Sequence, residues 1–230
     1  DCITFRRSCL AGLPGVGYGR DREPTRMIQQ PLPMQKIVVL NPKGGSGKST
    51  VATNLAAYYA WKGLRVSLMD MDPQGSSIRW LKVRPPDCHA IHAIAAYEQR
   101  MGVTRSFALR VPPGTERLIV DTPAALTALQ MSDVVRDASA IVVPVLPSDI
   151  DIHAASRCIA DLLLAGKVHR SEKRLVIVAN RARRYTKAYQ SLMRFLQSMR
   201  IPVAAVLRDS QAYVRSAETG MVLHEMKGAL

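Results

Sequence analysis

No apolar run in this 230-residue chain is long enough to cross a bilayer, so nothing in it reads as a membrane-spanning helix. Cysteine is sparse and scattered. Cys2, Cys9, Cys88 and Cys158 form no C-x-x-C pair and no metal-ligand spacing, so they read as reduced thiols and give neither a disulfide framework nor an iron–sulfur cluster anything to stand on. The five histidines, His89, His92, His153, His169 and His224, likewise form no ligand set. Aromatic residues make up 5% of the chain, and only Tyr185, Tyr189, Phe195 and Tyr213 interleave the basic residues of the last third, which favours binding to a duplex backbone over stacking on single-stranded bases. Acids are short as well: 18 Asp and Glu face 32 Lys and Arg, leaving a net charge of +14 that favours a polyanionic partner. No internal repeat is visible.

What is present fits one α/β domain. The 47% hydrophobic content is enough for a single doubly wound core, and the length is too short for two substantial domains. Runs rich in Val, Ile, Leu and Ala predict strands near residues 36–41, 64–70, 117–121, 139–144, 174–179 and 203–207, as expected where helices cover both faces of a mostly parallel sheet. Helical patterns fall between them, near 48–62, 76–82, 125–137, 150–165, 186–200 and 210–218. The stretch 83–113 is less regular; within it, residues 90–101 read as a short strand followed by a helix.

Residues 41–50, NPKGGSGKST, follow the apolar run Ile37-Val38-Val39-Leu40 and carry most of the chemistry. Gly44, Gly45 and Gly47 let the backbone curl with its N–H groups inward, around Ser46, where a Cβ would block a phosphate. The loop then enters a helix whose N-terminal partial charge faces the same anion. Lys48 supplies a mobile cation for the β- and γ-phosphates, Ser49 a hydroxyl for Mg²⁺, and Thr50 a hydroxyl near the α-phosphate. The common form G-x-x-x-x-G-K-[ST] asks for glycine where this chain has Pro42, followed by a second lysine, Lys43.

Two further strands end in acids. Residues 64–69 run into Asp70-Met71-Asp72-Pro73-Gln74-Gly75-Ser76, and Leu118-Ile119-Val120 into Asp121-Thr122-Pro123. In an open parallel sheet, ligands bind at the carboxyl edge, so both acidic turns can converge on the phosphate loop. Asp121 has the form of a Walker B carboxylate that holds Mg²⁺ through its water shell. Asp72, on a turn able to respond to the γ-phosphate, is the candidate to orient the attacking water and also to reach the metal. Asp70 reads either as a further site carboxylate or as a cap on the next turn.

With these pieces in place the chain resembles the ParA/MinD family of deviant-Walker-A ATPases. The matching stretches are KGGSGKST with Asn54-Leu55-Ala56 on its helix, DMDPQGS, LIVDTPA and IVVPVLPSDID, in the family's order between residues 36 and 151. The resemblance implies a P-loop domain using ATP and Mg²⁺ over residues 34–230, weak ATP hydrolysis governed by a partner protein on a cargo, and an ATP-dependent sandwich homodimer. It also implies that Lys43, as the signature lysine, acts across that dimer, with Lys48 and Asp72 as its catalytic companions. A cytoplasmic, nucleoid-associated protein positioning a plasmid, a chromosome, a carboxysome or another large complex is the expectation.

Charge marks the DNA-binding candidates. Residues 166–230 carry 13 Lys and Arg against 4 Asp and Glu, a net of +9, whereas residues 34–165 carry 14 against 11, or +3. Arg183, Arg184, Arg208 and Arg215 are the residues expected to neutralise phosphates without reading bases; Asn180 and Arg181 are expected near the adenine. Residues 1–33 mix Gly, Pro and Arg without a period, with five Arg against Asp1, Asp21 and Glu23, and read as a disordered N-terminal extension ahead of Met34. Two other readings stay open. A MinD-like membrane switch would need an amphipathic C-terminal helix, for which Met221-Val222-Leu223-His224-Glu225-Met226-Lys227-Gly228-Ala229-Leu230 is short and broken by Gly228, so no stable membrane anchor is expected. A biosynthetic amidoligase would need further catalytic motifs.

Overall fold

In a computed structural model the described residues are 33–98, 110–164, 168 and 174–226; the expected extension over residues 1–33 lies outside them but for its last residue. The described residues fall in one compact unit by their contacts. Its strands are β1 (Gln35–Val39), β2 (Val66–Asp70), β3 (His92–Ala95), β4 (Arg117–Asp121), β5 (Ala140–Val145), β6 (Leu175–Ala182) and β7 (Val203–Arg208). The described helices are α1 (Lys48–Trp61), α2 (Ser76–Lys82), α3 (Ala128–Val135), α4 (Asp149–Leu164), α5 (Lys187–Met199) and α6 (Ala212–Thr219). All seven strands lie parallel in one sheet, in the order β3-β2-β4-β1-β5-β6-β7. The strand expected within residues 90–101 is therefore real and forms one edge of the sheet, while Ala96 and Tyr97, where the expected helix would begin, form a turn, and residues 99–101 lie outside the described residues.

Period-two alternation explains how both faces are filled. Ile37 and Val39 of β1 point with Val66, Leu68 and Ile119 toward Val51, Ala52, Ala56 and Ala60 of α1. Val38 instead joins Val120, Ile141, Val143 and Ile177 under Val134 and Val135 of α3, Ile159 and Leu162 of α4, and Leu192 and Leu196 of α5. Beyond Lys48 the buried face of α1 is made of small side chains, Val51, Ala52, Thr53, Ala56, Ala57 and Ala60, which suits close packing of the helix on the sheet. From β1 the chain runs outward to β2 and β3, whereas from β4 it passes back across β1 to β5, β6 and β7. The switch of direction opens a crevice at the carboxyl end of β1, where the glycine loop emerges.

Local chemistry trims the expected elements. α3 starts at Ala128 rather than 125 because Thr127 closes a capping box with Gln130, and it stops before Asp137, which is left-handed at φ 57. α5 is capped by the Thr186 hydroxyl on the Tyr189 N–H and ends at left-handed Arg200. β6 runs three residues past 179, through a bulge in which Asn180 and Arg181 stand between the paired positions Ala179↔Val206 and Ala182↔Arg208.

The segment after α6 returns to α2. Arg84 and Glu225 form a buried bidentate pair, at 2.6 and 3.0 Å, and Arg84 Nη1 also donates to the Gly220 carbonyl at 3.0 Å. Trp80 Nε1 donates to the Ser216 carbonyl. Gly220 has φ +66, and a Cβ there would stand 2.4 Å from the Arg84 backbone. A Gly220→Ala substitution is therefore expected to cost about 2–4 kcal/mol through left-handed strain and overpacking. In a thermal melt that corresponds to a midpoint lowered by roughly 5–15 °C, and an unchanged midpoint would show that this clasp does not hold the fold.

Candidate nucleotide site

The glycine loop is built from both of its ends. Asn41, buried at the end of β1, donates from Nδ2 to the Pro144 carbonyl of β5 at 2.7 Å and accepts the Lys43 N–H on Oδ1 at 2.8 Å. At the other end Gly47 caps α1 in a left-handed conformation with φ +91 and offers no side chain to the first-turn N–H groups. Those donors have no intrahelical acceptor, which leaves them to an incoming anion. Space above Gly44 and Gly45 is open, with nothing within 4 Å of a notional Cβ. Gly47 is glycine for a different reason: its Cβ would lie 2.2 Å from Asn180 Nδ2.

Lys48 is buried and its Nζ donates to the Lys43 carbonyl at 3.2 Å, which folds the ammonium back under the loop. Burial pushes its pKa down, while the charges of Asp121 and Asp72 act to hold it up. Within α1, Thr53 Oγ1 bonds the Ser49 carbonyl and Asn54 Nδ2 the Thr50 carbonyl, so the hydroxyl-bearing first turn is braced one turn below.

Asp70 and Asp121 are register partners on adjacent strands, and both are fully buried. Asp70 acts as the cap of α2: its Oδ2 accepts the N–H groups of Ser77 and Ile78, and its Oδ1 that of Asp72. Asp121 Oδ2 accepts from Ser77 Oγ at 2.6 Å. Burial drives the Asp121 pKa up to about 6, against the Ser77 hydroxyl and the nearby Ser49 hydroxyl, which act to lower it. Asp72 stands half-buried on the turn, with Oδ1 accepting from the Gln74 N–H.

Three buried oxygens on or beside the loop have no hydrogen-bond partner among the described residues: Ser46 Oγ, Asp121 Oδ1 and Asp151 Oδ1. Such groups in a folded protein call for a water, an ion or a ligand. The donor set fits a nucleotide with Mg²⁺, because that ion takes one or two carboxylates and a hydroxyl beside phosphate oxygens rather than an all-protein cage. Among the described residues no three His, Cys, Asp or Glu side chains are grouped to hold a metal by themselves.

Several contacts were not legible in the sequence. Lys43 Nζ pairs with Asp151 of its own chain at 2.6 Å; Asp151, in the first turn of α4, is buried and also accepts from Ser148 Oγ. Asn180 is buried beside the loop, its Nδ2 on the Ser46 carbonyl at 2.9 Å and its Oδ1 accepting the Arg181 N–H, so here the amide braces the phosphate loop. Arg181 is exposed and left-handed at φ 48. Ala125, also left-handed, donates its N–H to the Pro42 carbonyl and ties the loop after β4 to the phosphate loop. Of the basic residues, Arg183, Arg184, Arg208 and Arg215 are all exposed, and Arg183 is matched by Asp209 at 2.7 and 3.0 Å.

Residues 37–223 match the family model of the CobQ/CobB/MinD/ParA nucleotide-binding domain. The chain belongs to this family. Within the family it is 32% identical over 194 residues to the maintenance of carboxysome distribution protein A of Gloeobacter kilaueensis, covering 84% of this chain and 85% of that one. The protein of the same name from Halothiobacillus neapolitanus is 26% identical over 181 residues, covering 79% and 82%. Among solved structures the fold matches a Cyanothece McdA variant in complex with ATP, with a TM-score of 0.64, 15% identity and coverage of 84% and 90%. It also matches the septum site-determining protein MinD of Pyrococcus horikoshii complexed with Mg-ADP, with a TM-score of 0.64, 16% identity and coverage of 85% and 91%. The α/β P-loop architecture of the MinD/ParA group is therefore shared by this chain.

Proposed function

We propose that this chain is an ATP-switched positioning ATPase that dimerises on binding ATP and Mg²⁺, associates with DNA without reading its sequence, and distributes a large cargo. A partner protein on that cargo is proposed to stimulate hydrolysis. The observation that carries the reading is the pairing of an open glycine loop with orphaned Asp121 Oδ1 at the carboxyl edge of one parallel sheet. Similarity to carboxysome distribution proteins over most of both chains favours a carboxysome or comparable body as the cargo.

The residues divide the work. First-turn N–H groups of α1, with Gly44, Gly45, Ser46 and Gly47, hold the phosphate chain, and Lys48 places its charge beneath the loop against the β- and γ-oxygens. Ser49 and Asp121 hold the metal position, where a bound Mg²⁺ would neutralise charge developing on the phosphoryl oxygens. Asp72 orients the water from its turn, and Thr50 lies at the α-phosphate. Arg181, exposed at the end of β6, meets the nucleoside beside Asn180. Two strongly exposed apolar residues, Leu129 and Ile150, each 73% exposed, open α3 and α4 on the edge that carries Lys43. That placing suits a second copy of this chain, across which Lys43 reaches the partner's phosphates.

Hydrolysis tests the assignment directly. Asp72→Ala is expected to keep nucleotide affinity within about 3-fold while turnover falls about 100-fold or more, as for loss of a positioned catalytic group. Lys48→Ala is expected to lose both. Labelled-nucleotide binding and phosphate release, measured side by side, separate the two; Asp72→Ala turning over at the unaltered rate removes that residue from the mechanism.

A further inference from the structure

Ser77 is absent from every sequence signature of the site, yet it stands at its centre. It is the second residue of α2, fully buried, and both of its polar groups are spent on carboxylates from two different strands. Its N–H bonds Asp70 Oδ2 at 2.9 Å and its hydroxyl bonds Asp121 Oδ2 at 2.6 Å. Through Asp70 the same network holds the Asp72 N–H, at 3.0 Å on Oδ1. The Met71 N–H, one residue away, donates to the Asp121 carbonyl at 2.9 Å. The turn bearing Asp72, the start of α2 and the carboxylate of Asp121 are thus parts of one hydrogen-bonded unit, joined at Ser77.

Consider what the hydroxyl does to Asp121. A carboxylate at the end of a strand rotates about its last bond unless a donor fixes it. With Ser77 Oγ on Oδ2, the other oxygen is defined as the free acceptor, and Oδ1 is the buried oxygen that has no partner among the described residues. A carboxylate that reaches a metal through water must be oriented, and groups that orient such ligands influence affinity nearly as much as the ligands themselves. Resting on the nucleotide and Mg²⁺ reading above, we propose that Ser77 is a positioning residue that aims Asp121 Oδ1 at the metal and couples that aim to the Asp72 turn.

The hydroxyl, not the bulk of the side chain, carries this role. In the full chain, Ser77→Ala is expected to raise the Mg²⁺ concentration that half-saturates labelled-ATP binding by about 10-fold, while affinity for the nucleotide in EDTA stays unchanged. Ser77→Thr, which keeps the hydroxyl, is expected to need Mg²⁺ within about 3-fold of the unaltered protein, a smaller change than loss of an orienting group produces. The proposal is overturned if Ser77→Ala leaves the Mg²⁺ requirement unmoved. It is equally overturned if Ser77→Ala lowers affinity by the same factor in EDTA as in Mg²⁺, or if Thr is as defective as Ala, since both results mark a packing role. An unaltered protein that binds no nucleotide in either condition refutes the nucleotide reading itself, a result separable from a Mg²⁺-dependent protein indifferent to Ser77.

Discussion

Lys43→Ala is expected to leave nucleotide binding nearly intact and to abolish the ATP-dependent dimer. The lysine is half-exposed and meets Asp151 of its own chain at 2.6 Å, so in the single protomer it is turned toward α4. To reach the phosphates of a second copy, as proposed, it must leave that carboxylate. Removing it has a side effect that must be controlled. Asp151 is 3% exposed at its side chain, keeps a bond from Ser148, and has an oxygen without a partner among the described residues. A buried carboxylate stripped of its counter-ion destabilises the fold by up to about 3–5 kcal/mol. The double variant Lys43→Ala with Asp151→Asn removes both charges and is expected to melt near the unaltered protein while still failing to dimerise. Asp151→Asn alone frees the lysine and is expected to shift the monomer–dimer equilibrium toward dimer. Light scattering with ATP, on a background blocked at Asp72, reads all three. A double variant that dimerises as well as the unaltered protein ends the proposed role of Lys43 across the interface.

The contrast between Lys43 and its partner shows what the sequence could and could not reveal. The loop was legible because strand, glycines, lysine, hydroxyl and following helix are contiguous, and each obeys a local rule that points the same way. Asp121 was legible because a carboxylate directly after an apolar strand has only the ligand edge of a parallel sheet to go to. For Asp70, the two readings left open by the sequence are decided by its three backbone N–H partners: it caps α2. Asp151 and Ser77 carry no such local mark. Their partners lie 108 and 44 residues away, and the pairing exists only once β5 lies beside β1, and β2 beside β4. The bulge that turns Asn180 onto the loop was hidden for the same reason, because a bulge is a property of two paired strands and not of one. The place of β3 at the sheet edge, with only one buried side chain in four, also followed from pairing rather than from pattern.

Reversing Arg183, Arg184, Arg208 and Arg215 together to Glu is expected to abolish DNA binding while leaving ATP dimerisation unchanged. The first three gather near the carboxyl ends of β6 and β7, and Arg215 lies on α6; all four are exposed. They are not equal. Arg183 already holds Asp209 through Nε and Nη2, so its charge is largely matched locally, and Arg183→Ala alone is expected to weaken binding less than loss of any of the other three. Each phosphate neutralised contributes about 0.9 to the slope of log affinity against log salt, and a dimer presents every contact twice on one body. Eight contacts reversed to repulsions therefore remove at least about 1000-fold in affinity at physiological salt. The same doubling predicts that DNA binding requires ATP, with a steeper salt slope for the dimer than for the single protomer. Random-sequence duplexes of different composition are expected to bind alike, because arginines spread over loop and strand ends meet backbone oxygens rather than base edges. Fluorescence anisotropy across a salt series, with and without ATP, measures slope and dependence together. Binding that survives the four reversals, or that is equally tight without ATP, would return this basic face to the role of a solvated surface.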